Sequence, residues 1–91
     1  MILIAQDSVN RICVTANITA GTYSFEIRIT DPVCEEIFIL DLGDVAVCAC
    51  RFCDEVTHDC QGTFNLDVGI YNYEIYSDDV NYGSGKIKII L

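Results

Sequence analysis

Four thiols and the only imidazole of the chain fall within thirteen residues, in the pattern Cys48-x-Cys50-x2-Cys53-x4-His58-x-Cys60. Thiolate and neutral imidazole are the ligands tetrahedral Zn²⁺ prefers, so Cys50, Cys53, His58 and Cys60 form the candidate zinc set. A structural zinc site, however, usually pairs two ligand knuckles across a longer spacer, and Cys48 and Cys50 sit at strand spacing on one face of an apolar stretch. Buried free cysteine behaves as a small hydrophobe, and the main reading of Cys13, Cys34, Cys48 and Cys50 is core packing, with disulfides as the alternative. The start of the chain, Met1-Ile2-Leu3-Ile4-Ala5, has no basic segment before it and no small-residue cleavage site after it. It does not read as a secretory signal, which leads to the expectation of synthesis in a reducing cytosol, where disulfides are rare. A nucleophilic thiol needs electropositive surroundings, whereas Cys53 and Cys60 stand among Asp54, Glu55 and Asp59.

Other constellations are weaker. Asp41, Asp44, Asp54, Glu55, Asp59, Asp78 and Asp79 could offer oxygen to Ca²⁺, but no EF-hand loop is present and solvated surface charge is the plainer reading. Acid–base chemistry by paired carboxylates needs a cleft, and His58 has no serine near it in sequence, so a triad has no local support. Asn17-Ile18-Thr19 is a glycosylation sequon that matters only in a secreted chain. Neither an enzyme nor a bound cofactor is expected. Five basic against fourteen acidic residues give a net charge of −9, which repels phosphate backbones and anionic lipid. Neither nucleic acid nor membrane is an expected partner, and no apolar run approaches the length of a spanning helix.

Ninety-one residues, 52% of them hydrophobic, make a single folded domain over 1–91. The periodicity that must position these side chains is two. Tyr23, Phe25, Ile27 and Ile29 alternate with Ser24, Glu26, Arg28 and Thr30, as in a strand with one wet face. Further strands are expected over 10–15, 37–42, 45–56, 63–66, 70–77 and 86–91. Turn signals separate them at Ala20-Gly21, Asp31-Pro32, Leu42-Gly43-Asp44, 59–62, Val68-Gly69 and 78–85. A helix from Pro32, capped by Asp31 and stopped by Gly43, competes for one segment, but Ile37-Phe38-Ile39-Leu40 favours a strand. About seven short strands with regular turns predict an all-β, antiparallel sandwich.

Gly21-Thr22-Tyr23-Ser24-Phe25-Glu26-Ile27 is echoed forty-eight residues later by Gly69-Ile70-Tyr71-Asn72-Tyr73-Glu74-Ile75. In each, the glycine is expected to turn the chain into a strand, and the tyrosine to lay its ring on the core with its hydroxyl at the rim. The second copy lies in Asp67-Val68-Gly69-Ile70-Tyr71, which looks like the tyrosine corner of immunoglobulin-like sandwiches, making Asp67, Gly69 and Tyr71 structural. Tyr73 stands where an antibody domain carries its second disulfide cysteine, and the antibody-type tryptophan is missing.

The stretches Arg51-Phe52-Cys53-Asp54-Glu55-Val56, Gly62-Thr63-Phe64-Asn65-Leu66, Gly69 to Tyr76 and Gly85-Lys86-Ile87-Lys88-Ile89 together resemble small immunoglobulin-like proteins of tailed bacteriophages, particularly the crAss-like group. The block runs from Arg51 to Ile89, with weaker similarity back to Tyr23, and the cysteine cluster falls outside the pattern. The resemblance implies a non-enzymatic virion accessory protein, a capsid auxiliary or decoration protein present in many copies. Its partners would be other virion proteins of capsid or tail, with room for a homo-oligomer, and its location the virion after synthesis in host cytoplasm. Tyrosine is enriched at interfaces, so an aromatic rim of Tyr73, Tyr76 and Tyr82 is the candidate docking surface. The strand 86–91 ends on Ile89-Ile90-Leu91 and, as an uncovered edge, would need a partner to cover it. The alternative is a small zinc- or disulfide-stabilised binding domain.

Overall fold

A computed structural model describes residues 1–15, 18–48, 50–59 and 61–91. These residues form seven strands: β1 (Ile2–Ala5), β2 (Val9–Thr15), β3 (Gly21–Thr30), β4 (Ile37–Val47), β5 (Arg51–Thr57), β6 (Gly69–Ser77) and β7 (Val80–Ile90). They build a five-stranded sheet in the order β1-β7-β6-β3-β4 and a two-stranded sheet of β2 and β5. β1 runs parallel to β7, and every other pairing is antiparallel. Among the described residues there is no helix long and apolar enough to cross a membrane. The fold is all-β and sandwich-like, as the alternation predicts.

The core lies between the sheets because each strand turns its aliphatic positions the same way. The larger sheet contributes Ile2, Ile4, Phe25, Ile27, Ile29, Tyr71, Ile75, Ile87 and Ile89, and the smaller contributes Ile12, Val14, Phe52 and Val56. Phe25 stacks on Phe52 with ring centroids 4.6 Å apart, which joins the two layers at their middle.

Several expectations are corrected. Residues 45–56 are not one strand: Cys48 and Arg51 exchange backbone hydrogen bonds of 2.9 and 3.1 Å, and the chain reverses between them. Cys50 takes a positive φ of 62° there, so Cys48 and Cys50 are exposed at a tip instead of packed in the core. Cys34 is exposed as well, in a turn where the Asp31 carboxylate accepts from the N–H groups of Val33 and Cys34. The Asp31 cap is therefore real, but the helix it could start gives way to β4. Leu42-Gly43 is not a turn: Phe25 pairs with Gly43 and Glu26 with Asp41, leaving Leu42 bulged inside a continuous β4, with Gly43 at φ 67°.

The region 78–85 is not a loop either. Asp78 and Asp79, both at positive φ, form the whole connection, and β7 begins at Val80. Gly83 and Gly85 lie within the strand opposite Ile75 and Tyr73. A Cβ on Gly85 would approach the Tyr73 ring to 2.8 Å, so this glycine makes room for its neighbour. The segment 63–66 is irregular, although Phe64 is buried and stacks on Phe38 at 5.4 Å. Finally, β7 is no edge: it is sandwiched between β6 and β1, and the apolar Ile2–Ala5 is the cover its backbone requires.

Cys13 and Cys53, expected in the core and in a metal site, are directly opposed in the β2–β5 pair and form a disulfide. The bond closes a sequence separation of 40 residues and fixes the register of the small sheet. A cross-link over such a span restricts the unfolded chain by about 2–4 kcal/mol. The double variant C13A/C53A is expected to lose roughly that much stability in urea unfolding, and reduction of the wild type should reproduce the loss. Equal midpoints for the oxidised and reduced wild type would contradict it.

Candidate functional site

His58 lies directly after β5, at the opposite end of that strand from the Cys48–Cys50 tip. The imidazole is 1% exposed, and its two nitrogens face different partners. Nδ1 accepts the Asp7 N–H at 3.2 Å, and Nε2 stands 2.7 Å from the Leu66 carbonyl. A carbonyl can only accept and an N–H only donate, so the ring is neutral with its proton on Nε2. The His58 N–H donates to Ser8 O at 2.9 Å, and the ring packs on Phe64 at 5.4 Å. His58 thus clasps three pieces of chain: the β1–β2 turn, the end of β5, and the 61–67 segment.

This overturns the candidate zinc set. His58 has both nitrogens engaged, Cys53 is bonded to Cys13, and Cys50 is exposed at the β4–β5 tip. Cys60 lies outside the described residues, as does Asn17 of the sequon. Among the described residues, no three His, Cys, Asp or Glu side chains are gathered as a metal-holding group.

Asp67, Gly69 and Tyr71 come together as the corner motif requires. Tyr71 is buried and its hydroxyl donates to the Asp67 carbonyl at 2.9 Å, tying the incoming loop to the start of β6. The echo repeats the same bond: the Tyr23 hydroxyl donates to the Thr19 carbonyl at 3.0 Å, four residues upstream, at the entrance to β3. Two adjacent strands of the large sheet are therefore entered by one device used twice. Burial, with the charges of Asp31 and Asp67, pushes the Tyr71 phenol above its usual value.

The aromatic rim is not an exposed surface. Tyr73 is half-buried against the core over Gly85, and burial raises its phenol too. Tyr82 also packs on the core, edge-on to Phe25 at 6.3 Å. Only Tyr76 faces outward, half-covered by Arg28, whose guanidinium lies 3.8 Å from the ring centroid and 2.9 Å from the Glu26 carboxylate. The Tyr76 hydroxyl donates to Glu74 at 3.0 Å. Inward-facing rows and in-strand glycines account for the difference, since a ring beside a glycine finds apolar cover on the neighbouring strand.

What the large sheet does present outward is aliphatic. Leu3, Lys88 and Ile70 are in register across β1, β7 and β6, with Leu3 56% and Ile70 49% exposed. Ile37 and Ile39 on β4 add to the same face, at 65% and 55%. These positions escape sequence reading because each is a single outward residue in an alternating strand; only the register brings them together.

Comparisons with protein-family models, with curated proteins and with solved structures found no match.

The raised Tyr71 phenol has a consequence with a definite sign. The folded state holds the proton more tightly than the unfolded chain, so this contribution is complete below about pH 10, the ordinary tyrosine value, and is lost as pH rises through the folded value. Ionisation also removes the donor to Asp67. Thermal unfolding midpoints are expected to fall above about pH 10. Y71F should be less stable near neutrality by about 1 kcal/mol but show a shallower alkaline fall. Parallel alkaline curves for the two proteins would count against the assignment.

Proposed function

We propose that the chain is an immunoglobulin-like sandwich acting as a non-enzymatic structural and binding module, a bacteriophage virion accessory protein of the capsid auxiliary or decoration type that docks on the assembled particle. For the fold, the support is the strand order β1-β7-β6-β3-β4 opposed by β2-β5, together with the Tyr71 corner at the entrance to β6. In this reading β2, β3, β5, β6 and β7 correspond to strands B, C, E, F and G of a variable-type domain. The cross-link departs from the antibody pattern, because Cys13–Cys53 joins two strands of one sheet instead of bridging the layers.

For the binding role, one observation carries the reading: the aliphatic row of Leu3 and Ile70 with Lys88 between them, on a rigid sheet face. Exposed aliphatic side chains that line up across strands gain free energy by leaving water against a partner, and lysine beside them selects for acidic groups opposite. Lys86 and Lys88 are the only lysines in a chain of net charge −9, and both point from this face. The virion assignment is supported by the resemblance of the Arg51 to Ile89 block. The Cys13–Cys53 bond favours, as a second reading, a disulfide-stabilised binding domain outside a virion.

Proteomic analysis of gradient-purified particles of the phage encoding the chain is expected to find it in stoichiometric, many-copy amounts. Particles stripped of it should rebind the wild-type protein and bind L3D/I70D at least about tenfold more weakly, since two apolar side chains are lost from the contact. Absence from purified particles would reject the virion reading, and equal rebinding by the variant would reject the sheet face.

A further inference from the structure

The far side of the sandwich carries a second surface of different character. β4 ends the large sheet and pairs only with β3, while β5 pairs only with β2. Between these strands lies a groove of about 380 Å³. Its floor is apolar: Val56 and Phe64 are buried, and Leu40 and Leu42 half-buried, with no strand over them among the described residues. Its rim is acidic, lined by Asp41, Asp54, Glu55 and Asp59.

Asp54 is the unusual member. It falls between Phe52 and Val56 on the row of β5 that otherwise faces the core, opposite the buried Ile12, and it is half-buried. Its carboxylate accepts the Glu55 N–H, and among the described residues both ion pairs belong to Arg28, on the outer face of the other sheet. Arg11 stands opposite Glu55 across the β2–β5 pair, but among the described residues none of the groove carboxylates is ion-paired.

We propose that this groove takes an extended, lysine- or arginine-bearing segment of a partner protein. Two features select an extended segment: bordering strands that each have a strand partner on one side only among the described residues, and so can accept an added strand, and a floor of aliphatic and aromatic side chains. A strand alternates its side chains, so apolar residues at every second position meet the floor while basic ones reach the rim. Charge excludes the simplest competitor, since a second copy laid edge to edge would bring the same four carboxylates against their duplicates. The inference rests on the binding-module reading but not on the virion or on the Leu3 and Ile70 face.

The test is an NMR titration of the isotope-labelled full chain with a synthetic peptide of alternating lysine and valine. A peptide with glutamate in place of lysine serves as the control. The expected result is amide shifts confined to 40–42 and 54–64, weakened about tenfold when ionic strength shortens the screening length from about 10 Å to about 3 Å. D54N/E55Q, whose side-chain amide at position 54 keeps an acceptor for the neighbouring N–H, should bind about tenfold more weakly while retaining the wild-type unfolding midpoint to within a few degrees. Shifts spread over the whole acidic surface, equal binding of the glutamate peptide, or no shift at all would each overturn the proposal. So would concentration-dependent groove shifts without peptide, which would assign the groove to a second copy. Because the titration needs no particle, a negative virion result leaves it standing, and its own failure leaves the Leu3 and Ile70 face untouched.

Discussion

The stack of Phe25 on Phe52 is the contact on which the other features depend, because the smaller sheet has only two strands. An isolated two-stranded pair is marginal in water; it persists when its apolar face is covered and its register fixed. Phe25 covers Phe52 from the large sheet, and Tyr82 and Tyr23 pack around Phe25 in turn. The Cys13–Cys53 bond then acts within the pair, and the His58 clasp acts at its end, holding β5 to the turn that leads into β2. Without the stack, the small sheet would be left with Ile12, Val14 and Val56 as its contribution to the shared core.

That arrangement explains why the residues that look reactive in the sequence are structural. Imidazole is the one side chain that is both donor and acceptor at opposite corners of a flat ring, so a buried neutral histidine can satisfy an orphan N–H and an orphan carbonyl from separate segments. Asp7 N and Leu66 O are such a pair. The tyrosine hydroxyls of Tyr23 and Tyr71 do similar work at strand entrances, each meeting a carbonyl four residues back. Backbone groups that regular pairing leaves over at the strand ends are thus met by the single histidine and by two of the five tyrosines.

Alternation makes β2, β3 and β6 legible, because each has one face in the core and one in water, and the Asp67 to Tyr71 pattern locates the corner bond. β1 stays hidden because Ile2–Ala5 is short and invites comparison with a leader; its role depends on a parallel pairing with residues more than eighty positions away, which no local pattern carries. Gly83 and Gly85 look like loop punctuation, whereas both lie within β7, opposite Ile75 and Tyr73, and Gly85 makes space for the Tyr73 ring. The cysteines mislead for a related reason. Spacing suggests that Cys50 and Cys53 belong together, but the β4–β5 reversal puts one at a tip and the other opposite Cys13. In each case the deciding neighbour is remote in sequence, and strand register is what supplies it.

Register also organises the charge. Fourteen acidic residues in a chain this small would be expected to cover it evenly, yet Arg28, Lys86 and Lys88, three of its five cations, share the outer face of the large sheet. Their positions in β3 and β7 are alternate residues whose intervening neighbours Ile27, Ile29, Ile87 and Ile89 are buried. The pattern that fills the core therefore also places these three cations on one surface, while Arg11 and Arg51 lie on the small sheet. The opposite edge is left to Asp41, Asp54, Glu55 and Asp59, of which Asp54 lies within the inward row of β5, between Phe52 and Val56. A free edge ringed by like charge does not pair with its own copy, and at ordinary ionic strength the repulsion acts within about 10 Å, the range over which neighbouring edges meet. The large-sheet face and the groove edge thus differ in character: one is a flat aliphatic surface on which three cations lie among Glu26 and Glu74, the other an apolar furrow with an acidic rim, and each can be occupied without displacing what sits on the other.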